Sequence, residues 1–182
     1  MDNIIHNDTI DLILSRRTVR SYTKEKLTEE EINTLLECAM WAPSARNKQP
    51  NVVRAVTDEK TLDDINTDFK NTVGWDTPAY TRWDVNPVYQ GAPALFVIFA
   101  DHKANMDGGI MVENIAIAAK ALGLDSCIIG SLGALMDHEN GKKWKRKMGV
   151  DENREFVISI AVGHGAESPE PKPRNEKEFR AV

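Results

Sequence analysis

The stretch APALFVIFA, residues 92–100, is the longest clear apolar run in the chain. Its length is that of an ordinary strand and about half of what a helix needs to span a bilayer. Because no position in it is polar, we expect a strand that is buried on both faces of a sheet. A second run, EFVISIAV at residues 155–162, predicts another central strand.

Shorter elements surround these two runs. We predict strands at residues 52–56, from their β-branched content, and at residues 126–129. The spacing of apolar residues predicts helices at residues 10–14, 28–41, 61–73, 107–122 and 132–148. Gly141 is expected to break the last of these helices. Helices and strands that follow one another without strict alternation predict an α+β fold built in layers.

Several of these helices carry start and stop signals. Asp8 and Thr9 are expected to cap the first helix, and Thr28 with Glu31 is a capping-box pattern for the second. Gly74 is expected to end the third helix. For the fourth helix we predict one apolar face, made of Met111, Ile115, Ala118 and Leu122.

The 182 residues fit a single domain, residues 1–182, that ends in a proline-rich tail over residues 163–182. A content of 41% apolar and 28% charged residues is typical of a chain with a packed core. The net charge of −5 argues against a nucleic-acid-binding module, because such modules use Lys and Arg to displace counterions from phosphates. We interpret the basic run at residues 142–147 as a solvated helix face.

Cys38 and Cys127 are too few and too far apart for a disulfide framework or a zinc site, which favours a reducing compartment. Residues 1–11 lack the basic start and apolar run of a signal peptide. We therefore expect a cytoplasmic protein without a membrane anchor. The four histidines show no metal-ligand spacing, and no serine or cysteine has the surroundings of a covalent nucleophile.

Three arginines, Arg16, Arg17 and Arg20, lie close together after the first helix, and residues 16–20 are called the arginine segment below. A guanidinium group is a planar fork that can bind phosphate through two charge-assisted hydrogen bonds. In an acidic chain such a cluster indicates a bound phosphate. A basic turn that stabilises the end of the helix is an equal alternative.

Three further pieces contain possible ligand contacts. In the 42–50 loop, APSARNKQP, proline restricts the backbone while Ser, Asn and Gln offer hydrogen bonds to a polar ring edge. Lys172 and Arg174, the tail pair, could reach a phosphate at the arginine segment if the tail folds back. Ile129 and Gly130 end a predicted strand, where a backbone amide could bind a ligand atom. A capped loop, a solvated tail and a structural turn are the respective alternatives.

In their order along the chain, five segments resemble the FMN-dependent nitroreductase family. These segments are SRRTVRSY (15–22), APSARNKQP (42–50), GAPALFVIF (91–99), ENIAIAAKALGLDSCIIGSL (113–132) and ISIAVGHG with PKPR (158–174). The resemblance covers nearly the whole chain, from Ile10 to Arg174. It implies a three-layer α+β sandwich with a central mixed, mainly antiparallel sheet. It also implies an intertwined homodimer with two FMN molecules at the interface.

The resemblance implies a set of FMN contacts on four parts of the chain. The arginine segment matches the contacts to phosphate, ribityl chain and pyrimidine edge, and the tail pair matches the same phosphate. The 42–50 loop matches the loop that the other subunit places against the flavin, and the strand end matches the backbone beside flavin N5. The residues concerned are Arg16, Arg17, Thr18, Arg20, Pro43, Ser44, Ala45, Asn47, Ile129, Gly130, Lys172 and Arg174.

Members of this family are expected to pass a hydride from NAD(P)H through flavin N5 to a nitroaromatic, quinone or similar acceptor. One site that serves both half-reactions predicts ping-pong kinetics without a catalytic side chain, and a cation such as Arg20 could tune the flavin. A member specialised for another flavin reaction and a non-catalytic flavin-binding or sensor protein stay open as alternatives. Trp75, Tyr80 and Trp83 could stack on a substrate or simply pack.

Overall fold

The computed structural model describes residues 4–76, 87–101 and 104–180. Across these ranges the helices are α1 (Asp8–Ser15), α2 (Glu29–Met40), α3 (Glu59–Val73), α4 (Asn105–Ala121), α5 (Gly133–Met136) and α6 (Lys142–Lys147). The strands are β1 (Asn51–Val56), β2 (Ala94–Ala100), β3 (Asp125–Ile129) and β4 (Glu155–Gly163). Every predicted strand is present, and the α+β fold is confirmed.

The strands form one sheet in the order β1-β2-β4-β3, and its three ladders are all antiparallel. The prediction of a mixed sheet is therefore wrong for the described strands. β2 and β3 run in the same direction and are joined through α4, but β4 lies between them and prevents a parallel ladder. The parallel component is a single bridge between Thr18 and Ser126.

Helices cover both faces of this sheet, which gives the expected three layers. All seven residues of β2 are buried, as predicted, and successive side chains enter opposite cores because strand side chains alternate. One core contains β2 residues Leu95, Val97 and Phe99 together with α3, α5 and α6. The other contains Ala94, Phe96 and Ile98 together with α2 and α4.

The predicted helix caps have different outcomes. The capping box of α2 is confirmed: Glu31 N–H donates to Thr28 Oγ1 at 3.2 Å, and Thr28 N–H donates to Glu31 Oε2 at 2.7 Å. The cap of α1 is Asn7 instead of Asp8 or Thr9, and its Oδ1 accepts from Ile10 N–H at 3.0 Å. Asn7 has the extended backbone that a cap requires, whereas the helix has already begun at Asp8.

The buried face of α4 differs from the prediction, because Ile115 alone of the four predicted residues is fully buried. The buried residues of α4 are Gly108, Val112, Ile115, Ala116 and Ala119. These are mostly small because the helix lies close to the sheet: a β-carbon at position 108 would be 2.6 Å from Val157 Cγ1. The larger side chains of Met106, Ile110 and Leu122 remain exposed.

The last predicted helix is interrupted before Gly141. α5 ends at Met136, and His138 has an extended backbone with ψ of 160°. Asp137 stabilises this break, since its Oδ1 accepts a hydrogen bond from Phe156 N–H at 3.0 Å. A 3₁₀ turn at Glu139–Gly141 then leads into α6. Gly74 ends α3 as predicted, with a φ of 98°.

Within the described ranges, no helix is both long and apolar enough to cross a membrane. Of the aromatic residues proposed to stack on a substrate, Tyr80 and Trp83 lie outside the described residues. Trp75 is exposed, and its Nε1–H donates to Asn71 Oδ1 at 3.1 Å.

Candidate functional site

The arginine segment leaves α1 and runs beside β3. The bridge from Thr18 to Ser126 is reinforced by Val19 N–H, which donates to Ser126 O at 3.0 Å. Val19 itself is buried in the core. The structure therefore places the arginine segment beside β3, the strand that ends in Ile129. Both were predicted to contribute to the site.

The two adjacent arginines have different surroundings. Arg17 Nη1 donates to Leu14 O at 2.8 Å and to Arg16 O at 2.9 Å, which stabilises the end of α1 as the alternative interpretation expects. Arg16 Nε lies 3.8 Å from Glu113 Oε1 on α4. That contact uses Nε, and within the described ranges no hydrogen bond or ion pair engages the two terminal nitrogens of the Arg16 fork.

Arg20 places a positive charge near the middle of β3. Burial raises the pKa of the Cys127 thiol, and the Arg20 guanidinium opposes that rise. Burial also raises the pKa of the Tyr22 hydroxyl, which donates to Val19 O at 2.7 Å. Burial and the raised pKa thus favour the neutral thiol form of Cys127.

The C-terminal tail begins against the arginine segment. Tyr22 pairs with Gly165, Ala166 N–H donates to Ser21 O at 2.8 Å, and Arg20 N–H donates to Glu167 Oε1 at 2.5 Å. Five more residues, at most about 18 Å of extended chain, lead from Glu167 to Lys172. The start of the tail thus lies beside the arginine segment, and the role of Lys172 and Arg174 at a phosphate stays a prediction.

The tail pair itself does not complete the site in this structure. Lys172 and Arg174 are exposed, and no other residue in the described ranges forms a hydrogen bond or ion pair with either side chain. Among the described residues, both cations are thus open to an anion from outside the chain.

A cavity of about 290 Å³ separates Arg17 from the first part of the tail. Its charged lining is Arg17 and Lys120 against Asp125, Glu167 and Glu170, and Lys120 already lies 3.6 Å from Asp125. Because carboxylates outnumber cations here, this cavity does not suit a phosphate. Arg17 therefore differs from Arg16 in what it can bind as well as in its contacts.

At the end of β3, a buried residue, Ile129, is followed directly by an exposed one, Gly130. Ile129 is buried, and its carbonyl accepts a hydrogen bond from Ser159 Oγ at 2.8 Å. Gly130 is exposed, and a β-carbon there would meet nothing closer than Ile158 Cδ1, at 3.6 Å. Packing inside the chain does not require glycine at this position, so the space beside Gly130 is open to a ligand.

The 42–50 loop has an unusual backbone. Arg46, Asn47 and Gln49 have positive φ values of 55°, 53° and 48°. Each such non-glycine residue costs on the order of 1–3 kcal/mol and is typical of functional sites. Gln49 fastens the loop internally, because its N–H donates to Ser44 Oγ and its Nε2 donates to Asn47 Oδ1, both at 3.0 Å.

The same loop borders a cavity of about 340 Å³ between α2, β1 and the start of α4. Pro43, Ser44 and Asp107 line it, and Ala45 N–H donates to Asp107 Oδ1 at 3.3 Å. Asn51 also lines it, and both polar atoms of the Asn51 amide are buried without a hydrogen-bond partner among the described residues. An unsatisfied buried amide costs about 1–3 kcal/mol, so this region is incomplete.

No sequence pattern singled out Asn51 or Asp107 as site residues. The available signal for Asn51 was a polar residue at the start of a β-branched strand. Asp107 was noted only as the start of a helix, and its contact with the loop spans 62 residues.

α4 separates the loop from the tail within one chain. The loop contacts α4 at Asp107, whereas the arginine segment contacts Glu113 and Lys120 lines the tail cavity. At a rise of 1.5 Å per residue, these contacts lie about 9 and 20 Å from Asp107 along the helix axis. Along α4 the 42–50 loop thus lies at the amino-terminal end, the arginine segment at the middle and the start of the tail near the carboxyl-terminal end.

The basic run of α6 is used inside the chain. Its side chains pair with Glu139, Asp68, Thr61 and Glu152, and Lys145 is buried and donates to Arg154 O at 2.7 Å. The prediction of a solvated face is therefore wrong for Lys145. No group of residues suited to hold a metal ion is present within the described part of the chain.

A family model described as the nitroreductase family matches residues 13–164, which is more than half of the chain. The chain belongs to the nitroreductase family. The match in this nitroreductase spans the arginine segment, the 42–50 loop and the end of β3, and it stops before the tail pair.

Solved structures and curated relatives agree with this assignment. A nitroreductase with bound FMN from Bacteroides fragilis has a TM-score of 0.87 and 26% identity, over 97% of this chain and 100% of that one. An FMN-dependent nitroreductase from Clostridium difficile has a TM-score of 0.75 and 32% identity, over 93% and 95% of the two chains. An NADPH-flavin oxidoreductase from Vibrio harveyi is 26% identical over 92% of this chain and 70% of its own length.

Proposed function

We propose that this nitroreductase binds FMN between two copies of the chain and transfers a hydride from NAD(P)H to a nitroaromatic, quinone or similar small acceptor. The pairing of residues 20–22 with residues 165–167 carries this proposal. It places the start of the tail, which leads on to Lys172 and Arg174, beside the arginine segment of an acidic chain. The bound FMN of the Bacteroides fragilis relative and the name of the Vibrio harveyi relative support the choice of cofactor and donor.

The FMN phosphate is assigned to Arg16 together with the tail pair, Lys172 and Arg174. Each charge-assisted hydrogen bond to a phosphate oxygen contributes about 1.5–3 kcal/mol. Thr18 is assigned to the ribityl chain. We assign Arg17 a supporting role, because its fork already bonds the carbonyls at the end of α1.

The ring of the flavin is assigned to the end of β3 and to the partner subunit. Gly130, beside Ile129, offers a backbone N–H to flavin N5, and Arg20 offers a positive charge toward the pyrimidine edge, where it favours the reduced ring. The loop residues Pro43, Ser44, Ala45 and Asn47 are assigned to the site of the other chain. The distance along α4 between this loop and the arginine segment supports that assignment.

Exposed apolar side chains support the homodimer. α1 has no fully buried residue, and Ile13, Met40, Trp41 and Met106 are 46%, 60%, 76% and 80% exposed. These residues lie on α1, at the end of α2 and at the start of α4, and Met40 lines the cavity that contains the unsatisfied Asn51 amide. Large exposed apolar patches mark protein interfaces, and a second copy of the chain would cover this one.

Bound FMN supplies the chemistry, since its N5 accepts a hydride and gives it to an oxidant. The side chains then have three tasks, which are to bind the phosphate, orient the ring and set its charge environment. Protons come from water, so no side chain acts as acid or base. Both described cysteines are free, which is compatible with work in the cytoplasm.

The test combines cofactor binding, assembly and reduction. The purified chain, supplied with FMN, is expected to elute as a dimer, to hold about one FMN per chain, and to lose its flavin absorbance when NADH or NADPH is added anaerobically. Steady-state rates with a nitrofuran or a quinone should give the parallel double-reciprocal lines of ping-pong kinetics.

Each failure has a separate meaning. A colourless monomer that does not take up FMN would overturn the proposal. Bound FMN that neither nucleotide reduces would favour a flavin-binding or sensor protein. Reduction without transfer to nitro or quinone acceptors would favour a family member specialised for a different flavin reaction.

A further inference from the structure

Ser159 is a fully buried polar residue in the middle of an apolar sheet. It lies on β4, between Val97 of β2 and Ile129 of β3, and its exposed fraction is 0%. A buried hydroxyl is unfavourable unless it is hydrogen-bonded, and Ser159 Oγ donates to Ile129 O at 2.8 Å. An apolar residue could fill the same space in β4. Packing alone therefore does not explain why a hydrogen-bonding residue is present at position 159.

The bonded carbonyl belongs to the peptide unit that ends in the Gly130 N–H. Resonance makes O, C, N and H of one peptide a single planar unit, so charge drawn to the oxygen is taken from the nitrogen side. A hydrogen bond to the Ile129 oxygen therefore makes the Gly130 N–H a stronger donor. Such polarisation strengthens the next hydrogen bond in a chain by about 10–30%.

We propose that Ser159 is a positioning residue for the flavin, acting through the Ile129–Gly130 peptide on the hydrogen bond from Gly130 N–H to flavin N5. This inference rests on the proposed function. Ser159 orients that peptide from the buried side, while Gly133 N–H fixes the next one by donating to Gly130 O at 3.1 Å. The exposed Gly130, without a β-carbon, presents the N–H to the ring.

The first experiment compares FMN with 5-deaza-FMN, in which a carbon replaces N5 and removes the hydrogen-bond acceptor. Ser159→Ala is expected to raise the Kd of FMN about threefold, while the Kd of 5-deaza-FMN stays unchanged. Ser159→Cys should fall between wild type and Ser159→Ala, because a thiol is a weak donor. A general loosening of the sheet would weaken both ligands equally.

Ser126 provides a matched control. It is a buried serine on the neighbouring strand β3, 3% exposed, and its carbonyl is used by Val19. It lies outside the Ile129–Gly130 peptide. Ser126→Ala is therefore expected to have the same effect on FMN as on 5-deaza-FMN.

A second measurement needs no flavin. In the NMR spectrum of the ligand-free protein, Ser159→Ala should move the resonance of the Gly130 amide proton upfield, and Ser126→Ala should leave it unchanged.

Equal losses of affinity for FMN and for 5-deaza-FMN in Ser159→Ala, or an unchanged Gly130 amide resonance, would overturn the role of Ser159. If wild type binds neither flavin, the proposed function fails as well, whereas wild-type FMN binding with an unaffected Ser159→Ala removes this inference alone. If Ser159→Ala does not fold, Ser159→Cys carries both measurements.

Discussion

Two adjacent arginines of this nitroreductase, Arg16 and Arg17, have different surroundings although they are neighbours in the sequence. Arg16 and Arg17 are chemically identical, and both match the family pattern. Arg17 is held by two carbonyls at the end of α1 and faces an acid-rich cavity, whereas Arg16 keeps its terminal nitrogens for a ligand. A guanidinium group that bonds helix carbonyls contributes to stability more than to binding.

Substituting the two arginines one at a time tests this division. Arg16→Ala is expected to raise the Kd of FMN at least about tenfold, the loss of one charge-assisted phosphate contact, with little change in stability. Arg17→Ala should instead lower the free energy of unfolding by about 1 kcal/mol and change the Kd by less than about threefold. Flavin fluorescence titration and urea unfolding measure the two quantities. Equal losses of FMN affinity in both variants would contradict the division.

Among the elements, the helix caps show how local hydrogen bonds define a boundary. Thr28 and Glu31 exchange two hydrogen bonds at the start of α2. At α3 the cap is Asp58, and hydrogen bonds from the Thr61 hydroxyl and amide lower the pKa of its carboxyl group. A lowered pKa means that the stabilisation is present at neutral pH and is lost as the pH falls through the folded-state value.

The cap of α2 can be tested without touching the site. Thr28→Ala is expected to lower the free energy of unfolding by about 1 kcal/mol, because a helix amide loses its partner. Thr34→Ala is the matched control in the same helix. Its hydroxyl bonds back to Glu30 O at 2.7 Å, and alanine favours helix, so stability should stay unchanged or rise slightly. Urea unfolding at one protein concentration compares them, and equal destabilisation would argue against the capping box.

For the whole molecule, the central question is how the 42–50 loop and the arginine segment, which lie apart in one chain, would contribute to the proposed site. The arginine segment and the tail start lie together, while the 42–50 loop is attached to the amino-terminal end of α4. In a symmetric dimer the loop of one chain can contact the arginine segment of its partner. The two-fold symmetry repeats this contact, so the dimer would contain two equivalent sites.

Subunit mixing tests that arrangement. Arg16→Ala and Asn47→Ala dimers should each bind FMN weakly, since each spoils both of its sites. After subunits exchange at equal concentration, a mixed dimer has one intact site, so about a quarter of all sites should recover FMN binding. Flavin fluorescence measures the recovery, at an FMN concentration between the Kd of an intact site and the Kd of a mutated site. No recovery would mean that Arg16 and Asn47 serve the same site from one chain.

Much of this protein follows from patterns a few residues long. The buried run of β2, the capping box of α2, the glycine end of α3 and the clustering of arginines all rest on neighbouring residues, whose geometry is set by local periodicity and local hydrogen bonds. The order of these pieces was also sufficient for the family.

Other features depend on residues that are distant in the chain and were beyond local patterns. The insertion of β4 between β2 and β3, the small-residue face of α4, the unsatisfied Asn51 amide and the different contacts of Arg16 and Arg17 are of this kind. The contact of Arg20 N–H with Glu167 spans 147 residues. Such pairings are selected by the packing of complete layers, because each element must bury its apolar face against the others, and no short segment contains that information.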